Sequence, residues 1–593
     1  MAFFWGTQIL YPLDKTESLQ LDIARTMLAE NSPWLPRVSG ENYFDKPPLP
    51  YWLAWPMFRF LPSAPWLARL GAAFSSTLGV IVTVLCVWRL GGTAGESGKR
   101  RWARAVLAGV ILACLPGYAA FARVAVHDSY LTSCLVMALT WLYELLFVPT
   151  ASLAQRWRLA LGAGAALGVG FLAKGLLAWL LPAAVLIGYA LLTRQGRSFG
   201  RQAGLLAVSA ALAIALPLPW LLAAYRQAGM AFVAGFLGHS NFGRITSTVD
   251  DHAGPWFYYL PVLLVLSFPW GLLAVPTRAR WALWLGRIRQ REAPHEPATD
   301  LQVFALVWLT LTVLLLSLAS TKLPHYILGS LPPLAILVAY NVLPEPPAPQ
   351  AAPLASPPSG ANPYARGRSF YRILGVGTAA VLAALALIPG PVLPGVVKLD
   401  RVFPEYTQAL LRHVQGPGHW LPLLLLAALL LAVVLGSPRR RLALVLAWLL
   451  VAMLAWGSIV PSLAGIYREH RQNAILALAD RVAEQVPPEV PIYVVGKSYH
   501  SVALRTGRPI HRVDSRPELA AHLRAGAGTP AGVAGGTAVT ERLVLIAPAN
   551  RPSFQPEALK KEGLAVLSRE HRQGLTYLLV ASPPAGERGP GVP

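Results

Sequence analysis

Apolar stretches about twenty residues long follow one another from about residue 66 to residue 460 and restrict what this chain can fold into. The hydrocarbon core of a bilayer is about 30 Å thick, which takes roughly 20 apolar residues in a helix. Of the 593 residues, 55% are hydrophobic and 13% are charged, whereas a soluble protein carries about 25% charged residues. The sequence therefore predicts a polytopic helical membrane protein and excludes a soluble enzyme.

Twelve apolar windows predict the transmembrane helices of an all-α membrane domain. They lie at 66–88, 105–122, 129–148, 158–173, 175–193, 203–224, 257–275, 301–320, 325–343, 371–390, 419–437 and 441–460.

The connections between these windows alternate in charge. Every second one is rich in basic residues, and cytoplasmic loops of membrane proteins carry such an excess. We therefore interpret the net charge of +23 as a mark of topology, with no nucleic acid as partner. The basic connections contain Lys99, Arg100, Arg101 and Arg104; Arg156 and Arg158; Arg194, Arg197 and Arg201; Arg278, Arg280, Arg287, Arg289 and Arg291; Arg366, Arg368 and Arg372; and Arg439, Arg440 and Arg441.

The two ends of the chain differ from its middle. Met1 to Leu13 is apolar but too short to span a bilayer, so either a partial helix begins the chain or a first span lies upstream. In the tail, the runs 490–496, 542–548 and 575–581 predict strands, and 471–486 predicts a helix. The predicted domains are 1–65, an N-terminal segment and first periplasmic loop with candidate functional motifs; 66–460, a transmembrane domain; 344–370, a cytoplasmic Pro-rich linker within it; and 461–593, a small soluble periplasmic α/β domain.

The three cysteines, Cys86, Cys114 and Cys134, all lie inside apolar windows and show no CxxC spacing. This pattern supports neither a disulfide framework nor a cysteine metal site. We expect them to be packing residues.

Ionisable residues at the ends of the windows converge on the face opposite the basic loops. Such groups are costly in a membrane and are functional candidates by default. Each also has a plain alternative: Lys174 and Lys322 as interfacial side chains, Asp128 as the cap of a helix that starts at Ser129, and His239 as an ordinary loop histidine. The segments are DKTE (14–17), YFDKPPLPYW (43–52), RVAVHD (123–128), FLAKG (171–175), GHSNFGR (238–244), DDHAGPWFYY (250–259) and TKLPHYIL (321–328).

Carboxylates combined with Lys, Arg and His side chains at a membrane surface are typical of a site that transfers a group from a phosphorylated lipid to an acceptor. A sugar linked to a lipid phosphate already has a good leaving group, so the site needs cations for the phosphate and a base for the acceptor. A glycosidase, by contrast, needs a protonated carboxyl to help an alkoxide leave.

These segments, together with TESLQLDIARTML and WLPRVSGENYFDKPPLPYW, resemble those of the GT-C membrane glycosyltransferases. The resemblance covers roughly residues 10–340 and points to the group that contains lipid A aminoarabinose transferase and the protein O-mannosyltransferases. It implies a bundle of about 12–13 transmembrane helices, amphipathic helices in the first outer loop, and often a C-terminal periplasmic domain. It also implies a multi-pass protein of the plasma (inner) membrane with its active site and C-terminal domain on the extracytoplasmic side.

The same resemblance implies roles for individual residues. The catalytic carboxylate is Asp14 or Glu17, because this chain has Thr16 where the family commonly has the first of two adjacent acids, and Asp128 is a third acidic candidate. The other implied roles are metal binding by Asp45 and His239, with zinc, magnesium or manganese as the divalent ion; donor phosphate binding by Lys46, Arg244, Lys322, His325 and Tyr326; and lining of the donor cavity by Tyr43, Lys174, Tyr258 and Tyr259.

The function that the resemblance implies is transfer of a sugar, with inversion, from an undecaprenyl or dolichyl phosphate donor to a lipid, glycan or protein acceptor. The bilayer itself is the other expected partner. Two alternatives remain open: a transporter or flippase of lipid-linked sugars, and a ligase or polymerase of whole glycans.

Overall fold

The computed structural model describes most of the first 345 residues and much of the C-terminal tail. The described residues are 12–13, 17–38, 41–61, 65–93, 95–149, 152–246, 254–268, 270–289, 295–345, 464–495, 500–513, 542–548, 556–560, 565–572 and 575–581, with 376, 379–380, 408–409, 412, 424–425, 427–429, 431–432, 462, 515, 517–519 and 554.

The first described elements are two helices and a short hairpin, residues 17–61, which we call the outer segment. The bounds are α1 Glu17–Ala29, β1 Arg37–Val38, β2 Glu41–Asn42 and α2 Leu49–Phe60. The two strands pair with each other, and α2 contains Pro56 and leaves Leu53 and Phe60 exposed.

The membrane domain follows as a bundle of helices. Its bounds are a 3-10 turn Pro65–Leu67, α3 Ala68–Leu90, α4 Gly98–Cys114, α5 Pro116–Phe121, α6 His127–Phe147, α7 Leu153–Lys174, α8 Leu177–Thr193, α9 Arg197–Arg201, α10 Ala203–Ala215, α11 Leu218–Phe232, a π-helix Val233–Gly243, α12 Arg244–Thr246, α13 Tyr259–Ser267, α14 Trp270–Leu273, α15 Arg278–Arg289, α16 Pro297–Leu318, a 3-10 helix Pro324–Ser330 and α17 Leu331–Val342.

Five of the described helical runs are long and apolar enough to cross a membrane. The first nine predicted windows coincide with described helices, while the windows at 371–390, 419–437 and 441–460 lie outside the described residues apart from short fragments. The long runs are Ala68–Leu90, His127–Phe147, Ala203–Gly243, Pro297–Leu318 and Pro324–Val342.

Two windows predicted as single helices are interrupted, and proline explains each break. Leu115 is extended before Pro116, and Phe268 is extended before Pro269. Proline disfavours the helical conformation of the residue before it and removes a backbone donor. The prediction of one continuous helix at 105–122 and 257–275 was therefore wrong. At 203–224, by contrast, Leu216 and Pro217 keep helical dihedral angles, and the helical run continues through the window.

Helix α6 lies at the centre of the bundle, where it contacts α3, α7 and α8. Nearly all of its residues are buried, as expected for a span enclosed by other spans. The interface between α7 and α10 depends on Gly164, where an added Cβ would lie 2.6 Å from the Ser209 carbonyl oxygen. Small residues allow such close approach of helix backbones in membranes. Cys86, Cys114 and Cys134 are buried free thiols, which agrees with their predicted role in packing.

The tail forms the predicted small α/β domain. The bounds are a π-helix Arg468–Gln472, α18 Asn473–Gln485, β3 Ile492–Val495, α19 His500–Thr506, β4 Ile510–Val513, β5 Arg542–Pro548, α20 Pro556–Lys560, β6 Ala565–Arg572 and β7 Leu575–Ala581. The sheet has the order β4-β3-β5-β7-β6, with parallel pairing of β3 to β4 and β5 and antiparallel pairing of β7 to β5 and β6. The three predicted strands and the predicted helix are present, whereas β4 and β6 were not predicted.

The tail domain docks against α1 of the outer segment. Arg25 donates to the Gly507 carbonyl oxygen at 2.8 Å, and His500 Nδ1 lies 3.5 Å from the Asp22 carboxylate. Leu504 packs against the apolar cluster that α1 forms with α2. The outer segment is thus held between the membrane helices and the tail domain.

Candidate functional site

Six separate segments of the sequence meet at one end of the helix bundle. They are the loop before α2, the beginning of α6, the end of α7, the π-helix with α12, the beginning of α13, and the 3-10 helix before α17. The ionisable side chains of these segments form a connected chain of contacts.

Asp45 is the first centre of this chain of contacts. Its carboxylate accepts a hydrogen bond from Arg244 Nη2 at 2.6 Å and another from the Tyr43 hydroxyl at 3.2 Å, and Lys46 Nζ lies 3.1 Å away. Burial would raise the pKa of the Asp45 carboxyl, but the charges of Lys46 and Arg244 outweigh this effect and hold that pKa well below its usual range. Asp45 is therefore an ionised anchor between two cations.

Asp128 is the second centre. Its carboxylate pairs with Lys174 at the end of α7, and its other oxygen lies 3.6 Å from His325 Nε2. The Lys174 ammonium also lies over the ring of Tyr326, 3.8 Å from the ring centroid. Because the Tyr326 hydroxyl accepts a hydrogen bond from Arg244 Nη1 at 3.0 Å, Tyr326 joins the two centres.

The local sequence explains why Lys174 ends its helix at this point. Gly175 follows it with φ = 89°, a backbone conformation that favours glycine, and an added Cβ would lie 2.9 Å from Asn241 Oδ1. The same Asn241 oxygen accepts a hydrogen bond from the Leu176 N–H at 3.3 Å. The segments FLAKG and GHSNFGR are thereby fixed to each other.

The loop that carries Asp45 is held on the π-helix by aromatic packing. The ring centroids of Phe44 and Phe232 are 5.9 Å apart, and a Cβ at Gly235 would lie 2.6 Å from the Phe44 ring. Long π-helices are rare and frequent at functional sites. The GHSNFGR segment is predicted to be functional, and it forms the end of this π-helix together with the first residue of α12.

Lys322 lies beside this chain of contacts. Its side chain is 6% exposed and donates to the Ala319 carbonyl oxygen, and the neighbouring Thr321 N–H donates to the Arg244 carbonyl oxygen at 3.1 Å. Tyr259 is buried, and its hydroxyl lies 3.3 Å from both the backbone nitrogen and oxygen of Leu323. Tyr258 packs against Tyr259 with ring centroids 5.1 Å apart.

Two of the non-functional interpretations considered in the sequence analysis, those of Asp128 and Lys174, are wrong. Asp128 does not cap α6, because the N-cap residue is Val126 and no side chain caps that end. Lys174 is not an interfacial side chain reaching for water, because only 7% of it is exposed and it pairs with Asp128. His239, in contrast, is exposed on the π-helix.

The Glu17 side chain is buried, and hydrogen-bond donors surround its carboxylate. Its carboxylate accepts hydrogen bonds from Arg69 Nε at 2.8 Å, Arg69 Nη2 at 2.6 Å, the Ala125 N–H at 2.8 Å and the Leu13 N–H at 2.9 Å. Four donors fill the acceptor positions of a carboxylate. Glu17 therefore ties the outer segment to α3 and to the residues before α6. Asp14, the other candidate base, lies outside the described residues.

The residues predicted for a divalent metal do not fit one. Asp45 is engaged with Arg244, Lys46 and Tyr43, and a cation at this carboxylate would be repelled by both side-chain charges. Within the described residues, no group of three or more His, Cys, Asp or Glu side chains stands together as a metal site needs. We derive no step of the chemistry through a metal.

Sequence reasoning missed Arg69 and His127. Arg69 lies in the first turn of α3 and is 4% exposed, and an arginine inside an apolar window was the signal that could have identified it. His127 precedes Asp128 and packs edge-on against Tyr51, with ring centroids 5.6 Å apart.

Removal of Lys174 is expected to destabilise the protein. Lys174→Met leaves the buried Asp128 carboxylate without its main partner, and loss of one member of a buried ion pair costs about 3–5 kcal/mol. Thermal unfolding in detergent should therefore shift downwards. The double variant Lys174→Met, Asp128→Leu should recover most of this loss without recovering activity, and an unchanged unfolding temperature in Lys174→Met would contradict the pairing.

Parts of the chain match known proteins. Residues 45–222 match the model of a family described as dolichyl-phosphate-mannose-protein mannosyltransferase. The chain is 32% identical over 335 residues to the undecaprenyl phosphate-α-4-amino-4-deoxy-L-arabinose arabinosyl transferase of Pseudomonas savastanoi pv. phaseolicola, covering 56% of this chain and 57% of that protein. It is also 32% identical over 339 residues to the transferase of that name from Pseudomonas aeruginosa, covering 55% of each. The chain thus spans little more than half the length of these curated relatives.

The fold has a solved counterpart. The crystal structure of ArnT from Cupriavidus metallidurans bound to undecaprenyl phosphate matches with a TM-score of 0.69 and 21% identity, covering 100% of this chain and 97% of that one. The predicted fold class, a multi-span helical membrane protein with a small α/β region at its C-terminus, is confirmed. The predicted resemblance to the aminoarabinose transferase and mannosyltransferase group is confirmed as well.

Proposed function

We propose that this chain is a membrane glycosyltransferase that moves a sugar from a polyprenyl phosphate to an acceptor on the extracytoplasmic face, with inversion. The observation that carries the proposal is the charge of the candidate site. Among the described residues there, four cations stand against two carboxylates, an excess that suits the two negative charges of a released phosphate. The cations are Lys46, Lys174, Arg244 and Lys322, and the carboxylates are Asp45 and Asp128.

The division of the site into two centres supports distinct roles. We assign Lys46 and Arg244 to the donor phosphate, with Asp45 holding both in position. Arg244 also donates to Tyr326, and this hydrogen bond orients the guanidinium, whose fork geometry suits phosphate oxygens. Lys322 and His325 belong to the same phosphate region in this proposal.

The remaining chemistry requires a carboxylate for the acceptor. A phosphate leaves without strong acid assistance, so the site needs a base that removes the acceptor proton while cations stabilise the departing oxygens. Glu17 has its acceptor positions filled, and Asp128 is paired with Lys174. We therefore assign the base to Asp14, with Lys174, Tyr43, Tyr258 and Tyr259 around the sugar.

The relatives indicate which donor to test first. Two proteins that are 32% identical to this chain carry the name of a transferase acting from undecaprenyl phosphate-α-4-amino-4-deoxy-L-arabinose. That lipid is the first donor of our proposal, and a mannosyl polyprenyl phosphate is the second because of the family matched by residues 45–222. A lipid, glycan or protein hydroxyl or amine is the acceptor class.

The decisive experiment is a donor assay with purified protein in detergent. We expect sugar transfer and release of polyprenyl phosphate, detected by mass, in the absence of any membrane or ion gradient. A transporter of lipid-linked sugars would leave the sugar–phosphate bond intact. Binding of several donors without release of polyprenyl phosphate would therefore overturn the proposed transfer.

The proposed orientation gives a separate prediction. A reporter that is active only in the cytoplasm should work when fused after Arg104, Arg201 or Arg291, and should be silent after Leu237 or Arg471. The reason is the excess of basic residues in the first set of connections. Cytoplasmic activity at both of the latter positions would reverse the orientation and with it the side of the active site.

A further inference from the structure

A polar cavity lies at the end of the helix bundle opposite the candidate site. Its volume is about 450 Å³, within the range of small-molecule sites. It lies between the end of α3, the end of α6 and the beginnings of α4 and α7, and Glu144 in its wall is sixteen residues after Asp128 along α6. At 1.5 Å per residue, this separation is roughly 24 Å. The lining residues are Trp88, Arg89, Leu90, Arg101, Glu144, Val148, Pro149 and Gln155.

Two arginines of this cavity are held in fixed positions. Arg89 Nη2 donates to Glu144 Oε1 at 2.6 Å, and the same oxygen accepts a hydrogen bond from Gln155 Nε2 at 2.9 Å. Arg101 donates to the Arg89 carbonyl oxygen at 2.6 Å, and its guanidinium carbon lies 5.3 Å from the centroid of the Trp88 ring. The site is therefore organised before any ligand binds.

The charge and hydrogen bonding of the lining favour an anion. Two arginines face one glutamate, so the lining keeps an excess of one positive charge. The Arg101 Nε is buried, and no described residue provides it with a hydrogen-bond partner. A buried donor without an acceptor is costly, and an anionic oxygen in the cavity would relieve that cost.

The surroundings of the cavity are those of a membrane interface. Trp102 packs edge-on against Trp88 with ring centroids 5.3 Å apart and is 48% exposed. On α7, Leu153 and Trp157 are also exposed. Tryptophan is enriched where lipid headgroups meet hydrocarbon, so an occupant of this cavity can place apolar chains along the outer surface of the bundle.

We propose that this cavity binds the phosphate of an anionic glycerophospholipid in the leaflet opposite the candidate site. The phosphate lies between Arg89 and Arg101, and the acyl chains run past Trp102. Basic pockets between membrane helices bind anionic headgroups in this way. This lipid is a structural ligand and not the sugar donor, because the two sites are at opposite ends of α6.

The test is lipid binding to the purified full-length protein, measured by native mass spectrometry in detergent. Phosphatidylglycerol is expected to bind about tenfold more tightly than phosphatidylcholine, and inorganic phosphate should not displace it at equal concentration. Equal binding of the two lipids would overturn the proposal. Displacement by inorganic phosphate would also overturn it, because the site would then take a soluble anion.

Single substitutions distinguish lipid binding in the cavity from nonspecific electrostatic binding of the lipid to the basic surface. Arg101→Gln and Arg89→Gln should each weaken phosphatidylglycerol binding about tenfold, as loss of a charge-assisted contact implies. Arg158→Gln is the matched control, because Arg158 is exposed on α7 near the same end and does not line the cavity. Arg89 is half exposed, so its variant serves if Arg101→Gln does not fold. Equal weakening by Arg158→Gln would overturn the assignment of the cavity.

Discussion

Lys46→Ala and Arg244→Ala are each expected to lower the rate of sugar transfer about tenfold to a hundredfold. The reason is loss of a charge-assisted contact with the donor phosphate, worth about 1.5–3 kcal/mol when the contact tightens in the transition state. Both side chains reach Asp45, at 3.1 Å and 2.6 Å, and each variant leaves that carboxylate with one cation. The measurement is the single-turnover rate with a polyprenyl phosphate sugar in detergent, together with the unfolding temperature.

The matched control for these variants is Arg226→Ala. Arg226 is an exposed arginine on α11, outside the contacts of the candidate site, so its removal changes the net charge equally. Its transfer rate should stay near that of the parent. Near-parent rates in both Lys46→Ala and Arg244→Ala, with folded protein, would reject the assignment of the phosphate to this pair.

The ends of helices and strands were predictable from the sequence where local chemistry determines them. The strands at 542–548 and 575–581 have the predicted bounds because each is a short, nearly continuous apolar run, a pattern that indicates a buried strand without long-range information. The breaks before Pro116 and Pro269 were missed because hydropathy alone reports apolar length and ignores the backbone restriction of proline.

The pairing of charges at the candidate site was not predictable from sequence spacing. Asp45 and Arg244 are 199 positions apart, and they meet where Phe44 packs against Phe232 and Gly235. The segments that carry the resemblance meet in the structure, but the resemblance described Asp45 as a metal ligand. The structure gives this carboxylate two cationic partners, a feature that no local pattern contains.

Glu17 also shows that contacts between distant residues cannot be predicted from a local sequence pattern. In the sequence it is an acid beside a family motif, and a catalytic and a structural role are equally consistent with that position. Its partner Arg69 is 52 positions away at the beginning of a membrane helix. Only the three-dimensional arrangement reveals that four donors surround the carboxylate, and this arrangement favours a structural role for Glu17.

Asp14→Asn is expected to lower the transfer rate about 10²–10⁴-fold and to retain donor binding. Removal of a general base lowers the rate by this factor, whereas an amide of the same shape still accepts hydrogen bonds from sugar hydroxyls. Donor affinity and single-turnover rate, measured on the same preparation, distinguish the two effects. Full activity in Asp14→Asn would transfer the role of base to Glu17 or Asp128.

Glu17→Gln is expected to act through stability instead. It leaves the buried Arg69 guanidinium without its counter-charge, and breaking a buried ion pair in this way costs about 3–5 kcal/mol. The unfolding temperature should fall. Activity per folded molecule should fall less than in Asp14→Asn, because the base is still present.

The double variant Glu17→Met, Arg69→Met decides between the two roles of Glu17. Apolar residues of similar volume often replace a buried ion pair with little loss of stability, so the unfolding temperature should recover most of what Glu17→Gln loses. If Glu17 only holds the outer segment against α3, the transfer rate should recover in parallel. If Glu17 were the base, the double variant would regain stability but stay inactive, because no carboxylate would remain at that position to accept the acceptor proton.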